Sequence, residues 1–135
     1  MRIYFAFLAA LTIGTQTANA ENGLSAELKG AAITITERRA LDPEQEKYFP
    51  CSEFVKTVEE ARAFLLNSTV ISPHERHYNF NQYHCAVTGK AITKTGELQF
   101  TILLGGTGSV TYRDGKEVLL GCREKCCKVV AKICG

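Results

Sequence analysis

The chain has 135 residues, of which 45% are hydrophobic and 22% charged, and its formal net charge is +2 at pH 7. This length suits one domain and excludes a nucleotide-binding domain joined to a separate substrate domain. The composition is that of a globular protein, and so small a charge gives no support for a nucleic acid or an anionic membrane as partner.

Residues 1–20 have the three parts of a secretory signal peptide. Arg2 supplies a positive start, an apolar run extends from Ile3 to Ile13, and Ala18-Asn19-Ala20 fits an A-x-A cleavage site. The run is about half the ~20 residues that a membrane-spanning helix needs. We therefore predict cleavage after Ala20, no membrane span, and a periplasmic or extracellular product that is a single domain over residues 21–135.

The first part of that domain predicts one strand and one helix. Ala31–Glu37 alternates isoleucine with threonine, which is typical of a short strand, and Arg38–Pro50 is expected to be a loop. Ser52–Asn67 predicts an amphipathic helix capped by Ser52, with apolar residues at steps of three and four. The apolar stripe is expected to pack into the core.

From His77 onward the apolar period changes to two, which predicts a meander of four antiparallel strands. A change of phase at Asn81-Gln82 suggests a β-bulge. Turns are expected at Thr95-Gly96, at Gly105–Ser109 and at Asp114-Gly115, the last as a two-residue hairpin with positive φ at both positions.

These elements predict an α+β fold, in which one amphipathic helix packs on an antiparallel sheet of four to five strands. The order β-α-β-β-β-β resembles the cystatin-like arrangement, in which a sheet wraps one helix. The Q-x-V-x-G loop by which cystatins enter protease clefts is missing, because Gln99 is followed by Phe-Thr-Ile-Leu. The resemblance thus implies the outline of a fold and no inhibitory residue.

The cysteines are even in number, and in a short exported chain they indicate disulfides. They are Cys51, Cys85, Cys122, Cys126, Cys127 and Cys134. Adjacent Cys126 and Cys127 should have different partners, with Cys122 and Cys134 the nearest, because a bridge between neighbours strains the peptide. A Cys51–Cys85 bridge would then join helix to sheet, although six cysteines allow fifteen pairings. The tail spacing C-x3-C-C-x6-C matches no common zinc pattern, so no metal is expected.

Catalytic groups are not evident, and we expect neither an enzyme nor a cofactor. His74 and His77 are three residues apart, not the four that a helical zinc protease site requires, and Pro73 favours loop and strand there. The glycine-rich segment at 105–108 joins strand to strand and lacks the G-K-[ST] ending of a phosphate loop.

By elimination, the sequence predicts a non-enzymatic exported module that binds another secreted or periplasmic protein. The small stapled domain behind a plain signal also resembles bacterial periplasmic inhibitors and immunity proteins. The contact site is expected at a mobile hairpin that could enter a partner's cleft: Gly105, Gly106, Thr107, Gly108, Ser109 and Tyr112. The alternative is a metal-binding or thiol-redox protein that uses the cysteine-rich tail.

Overall fold

The computed structural model describes residues 24–130 and 132–134. The predicted signal peptide at 1–20 and its cleavage site lie outside the described residues, and the assignment of 21–135 to one domain stays a prediction. Within the described part, no helix has both the length and the apolar character needed to cross a membrane.

The fold is α+β, as predicted, and its centre is a six-stranded antiparallel sheet. The strands are β1 (Ala32–Ala40), β2 (Thr69–Val70), β3 (Cys85–Thr93), β4 (Gly96–Leu103), β5 (Thr107–Thr111) and β6 (Glu117–Gly121). Their order across the sheet is β1-β3-β4-β5-β6-β2. The expected count of four to five strands is wrong, because β2 has only two residues and cannot show an alternating pattern.

Short helices surround the sheet. They are a helical segment at residues 24–29, α1 (Pro43–Glu46), a 3-10 turn (Cys51–Glu53), α2 (Val58–Asn67), α3 (Pro73–Asn79) and α4 (Glu124–Val129). The segment expected to be a loop, Arg38–Pro50, therefore begins with the last residues of β1 and contains α1.

The predicted helix exists but begins six residues later than expected. Thr57 caps α2 by accepting a hydrogen bond from the Glu60 N–H at 3.2 Å. Before it, Phe54 is extended and Val55 has a φ of +45°, so the chain cannot be helical there. The Arg38 guanidinium holds this turn by donating hydrogen bonds to the carbonyl oxygens of Phe54, Val55 and Lys56.

The strand predicted from His77 is also wrong at its start, since that residue lies in α3. Ser72 and Glu75 form a capping box, and Pro73 occupies the first turn of the helix, where its missing N–H has no cost. The strand β3 begins only at Cys85. Asn81-Gln82 is irregular rather than bulged, and the observed register shift lies between Ile35 and Glu37 in β1.

The core lies between one face of the sheet and the helices. Ala61, Phe64 and Leu65 of α2 are buried, which confirms that its apolar stripe packs inward. They join the alternating buried residues of the meander, which include Leu98, Phe100 and Ile102 in β4.

The sheet has two different ends. At the end that we call the turn end, β3 and β4 are joined at Lys94–Thr95, and β5 and β6 at Arg113–Gly115. The opposite end, the cysteine end, has Cys85 at the start of β3 and Cys122 just after β6. All three disulfides include one of these residues or lie in the tail that follows Cys122.

Candidate functional site

The glycine-rich segment predicted to contact a partner does form a turn, between β4 and β5, but the turn is packed into the protein. Gly106, Thr107 and Gly108 are buried, and only Gly105 and Ser109 are partly exposed. The Gly105 N–H donates to the Ile133 carbonyl at 2.7 Å, and the Gly106 carbonyl accepts from the Cys122 N–H at 2.8 Å. The turn therefore packs against the C-terminal tail and does not project into solvent, while its role as a contact site stays a prediction.

Thr107 and Tyr112 of the predicted contact site have different environments. The Thr107 side chain is 1% exposed, and no group in the described part of the chain reaches its hydroxyl oxygen. Tyr112 follows β5 toward the turn end and is partly exposed. Burial raises the pKa of its phenol, and the nearby charges of Glu27 and Asp114 raise it further. The predicted contact residues therefore do not form one compact site. Gly105–Ser109 lie at or near the cysteine end of β5, and Tyr112 lies just beyond its other end.

The six cysteines form three disulfides, and the predicted Cys51–Cys85 bridge is among them. Cys126 and Cys127 have different partners, as expected, and the structure settles the pairing that the sequence left open: Cys122–Cys126 and Cys127–Cys134. The Cys51–Cys85 bridge joins the 3-10 turn to the start of β3, and the other two shape α4 and the tail. The alternative function, metal or thiol chemistry in the tail, requires thiols there, whereas all four tail cysteines are paired in this structure.

The histidines do not converge on one site. His74 and His77 both lie on the exposed helix α3, and each packs against the Tyr78 ring, with ring centroids 4.5 and 4.7 Å apart. His84 lies just before β3, and its Nε2 is 2.8 Å from the Phe49 carbonyl oxygen. Their side chains are accounted for by aromatic packing and by one hydrogen bond to backbone.

Three large exposed side chains lie on backbone near His84 at the cysteine end. They are Leu41, Tyr48 and Tyr83, which are 50%, 85% and 42% exposed. Leu41 donates its N–H to the His84 carbonyl at 2.6 Å, and Tyr83 precedes His84 in the chain. Tyr48 is next to Phe49, whose ring packs edge-on against His84 at 6.0 Å. We call these three side chains the Tyr48 surface.

At the same end of the sheet, four side chains with metal-ligand atoms meet. They are Glu46, Cys51, His84 and Cys85, whose ligand atoms all lie within 4.8 Å of one another. Glu46 Oε1 accepts a hydrogen bond from the Cys51 N–H at 3.2 Å. The sequence alone does not reveal this cluster, because Glu46 and Cys51 lie in one segment of the chain and His84 and Cys85 in a distant one. The adjacent His84-Cys85 pair was the one available signal.

No protein family, no curated protein and no solved structure matches this chain in comparisons with known proteins.

Proposed function

We propose that this protein is an exported, non-enzymatic binding module, an inhibitor or immunity-type partner of another extracytoplasmic protein, and that it binds through the Tyr48 surface. The observation that carries the proposal is the exposure of Tyr48, which leaves 85% of a large aromatic side chain in solvent. Exposed tyrosines on rigid backbone are favoured in protein interfaces, because they bury much area with little loss of side-chain entropy.

The rigidity of that backbone is the second support. The Cys51–Cys85 disulfide and the three hydrogen bonds of Arg38 restrain the segments on either side of Tyr48. A surface that is ordered before binding loses less conformational entropy on association. The cystatin-like outline remains part of this proposal. It rests on one strand, helix α2 and a four-strand meander.

The binding surface can be tested by capture from the extracytoplasmic fraction of the source cells. Tyr48→Ala and Leu41→Ala/Tyr48→Ala should reduce recovery of a cross-linked partner by about tenfold or more, which is the effect of losing an interface hot spot. Ile92→Ala is the matched control, since Ile92 is 58% exposed but lies beside the turn end. Equal capture by all variants would exclude the Tyr48 surface.

Export and oxidation have their own test, which is the intact mass of the protein after alkylation with and without reduction. We expect a mass that begins at Glu21, no adducts before reduction, and one adduct for each of the six cysteines after it. Retention of residues 1–20 would contradict export. Adducts before reduction would show free thiols and would favour the alternative, metal or redox chemistry in the tail.

A further inference from the structure

A second observation, besides the proximity of its ligand atoms, suggests that the cluster of Glu46, Cys51, His84 and Cys85 binds a ligand. Glu46 Oε2 is buried and has no hydrogen-bond partner among the described residues. A buried carboxylate oxygen without a donor is unfavourable, and such atoms in folded proteins call for an explanation. Oε2 is therefore an atom of the cluster that could accept a cation without giving up a hydrogen bond within the described residues.

His84 is held in the way that metal-binding histidines usually are. The Phe49 carbonyl oxygen can only accept, so His84 Nε2 carries the proton of their 2.8 Å hydrogen bond. The neutral ring then has its lone pair on Nδ1. A hydrogen bond from the other ring nitrogen to a backbone carbonyl fixes both the tautomer and the orientation of a histidine ligand.

We propose that the Cys51–Cys85 disulfide conceals a zinc site, which forms when a dithiol reduces it. The ligands would be the two cysteine thiolates, the His84 imidazole and the Glu46 carboxylate. Four ligands of this mixed sulfur, nitrogen and oxygen type suit the tetrahedral preference of Zn²⁺. The proposal does not depend on partner binding, because it needs only the protein, a reductant and the metal.

The site would form by thiol–disulfide exchange followed by coordination of the metal. A thiolate of the dithiol attacks Cys51 Sγ, because Cys51 is 5% exposed and Cys85 is 0% exposed, and Cys85 leaves as thiolate. The second thiol of the reagent then displaces Cys51. The dithiol loses two electrons and leaves as its own disulfide, while the protein gains two thiols. Zn²⁺ then binds both sulfurs with release of their two protons.

The test uses the reduced full-length protein with Co²⁺ as a spectroscopic probe in place of Zn²⁺. We expect intense thiolate-to-cobalt absorption and tetrahedral cobalt bands at one equivalent, displaced by Zn²⁺, and no such absorption from the oxidised protein. Glu46→Gln and His84→Asn should each weaken Co²⁺ binding by about tenfold or more. Both variants keep the disulfide, so their folding can be verified before reduction.

Two cysteine variants separate this site from the thiols that reduction also releases in the tail. Cys122→Ser/Cys126→Ser should keep the cobalt spectrum, whereas Cys51→Ser/Cys85→Ser should lose it. The proposal is overturned if the second variant binds Co²⁺ as wild type does, or if Glu46→Gln and His84→Asn have no effect. It is equally overturned if the reduced wild-type protein shows no tetrahedral cobalt spectrum.

Discussion

The two ends of the sheet are stabilised in different ways. At the turn end, two short turns are closed by hydrogen bonds between near neighbours in the chain. One example is the 2.9 Å bond from the Gly115 N–H to the Tyr112 carbonyl. At the cysteine end, residues far apart in sequence are joined, as Cys51 and Cys85 are across 34 positions.

This difference follows from the lengths of the connections. A short turn loses little chain entropy on closing, so it needs few long-range contacts, such as the 3.0 Å hydrogen bond that Thr93 Oγ1 donates to Glu27 Oε1. The connections at the cysteine end include the whole stretch from β1 to β3, and their ordering costs far more. Disulfides, the Arg38 hydrogen bonds and the covering tail offset that cost. The cysteine end is therefore where substitutions should do the most damage.

The largest effect is expected on removing the long-range disulfide. Cys51→Ala/Cys85→Ala should lower the free energy of unfolding by about 4 kcal/mol, because a large loop is released in the unfolded chain. Cys127→Ala/Cys134→Ala, which opens a loop across 7 positions, should cost about 2 kcal/mol. Urea unfolding of both variants measures the difference. Equal losses would show that loop length does not set the stability of this end.

A pair of glycine substitutions compares the two ends directly. Gly106 has a φ of +95°, and a Cβ there would overlap the Cys122 carbonyl oxygen, whereas Gly115 has a φ of +88° and open space around it. Gly106→Ala should therefore cost about 3 kcal/mol and Gly115→Ala about 1 kcal/mol. Thermal unfolding gives both values. A harmless Gly106→Ala would mean that the tail does not cover the turn as described.

A stabilising change is expected at Thr107, at the cysteine end. Its hydroxyl is buried and unpaired within the described structure, so Thr107→Val keeps the shape and removes a polar group without a partner. We expect up to about 1 kcal/mol more stability in urea unfolding. Ser109→Ala on the same strand is the control, since Ser109 is partly exposed. A loss of stability in Thr107→Val would reveal a bond to that hydroxyl.

The smallest effect concerns Tyr112, near the turn end, and appears only at alkaline pH. Burial raises the pKa of this phenol in the folded protein, so the folded state keeps the proton to higher pH than the unfolded chain does. The associated stability is complete below the unfolded value of about 10 and is lost as pH rises through the folded value. Urea unfolding below and above about pH 10 measures this effect. Between the two conditions, the free energy of unfolding should fall less for Tyr112→Phe than for wild type.

The difference between the turn end and the cysteine end also explains which features could be predicted from the sequence. The alternation of β4 and the turns predicted at Thr95-Gly96 and Asp114-Gly115 depend on local sequence, and the structure has a turn near each position. The predicted two-residue hairpin is wrong, because β5 ends at Thr111 and β6 begins at Glu117, and positive φ occurs at Gly115 and not at Asp114. Among long-range features, the Cys51–Cys85 pairing was also anticipated, because cysteine chemistry restricts the choices.

Other features of the cysteine end depend on contacts that no sequence window contains. The start of α2 is set by the Arg38 hydrogen bonds, which lie 16 to 18 positions away in the chain. The glycine-rich turn is buried by contacts with Cys122 and Ile133, which are distant in the chain. Its own sequence therefore predicts a flexible loop. The proposed zinc ligand Glu46 likewise meets His84 only in the folded protein.

The pairing of the cysteines has a consequence for biosynthesis. Each disulfide joins a cysteine to the next one along the chain: Cys51 to Cys85, Cys122 to Cys126, and Cys127 to Cys134. Of the fifteen possible pairings, one has this property. A chain that enters an oxidising compartment N-terminus first can therefore be oxidised two cysteines at a time, in order of appearance. If the chain is exported as proposed, oxidation in that order would give the native pairing without any early bond being broken and replaced.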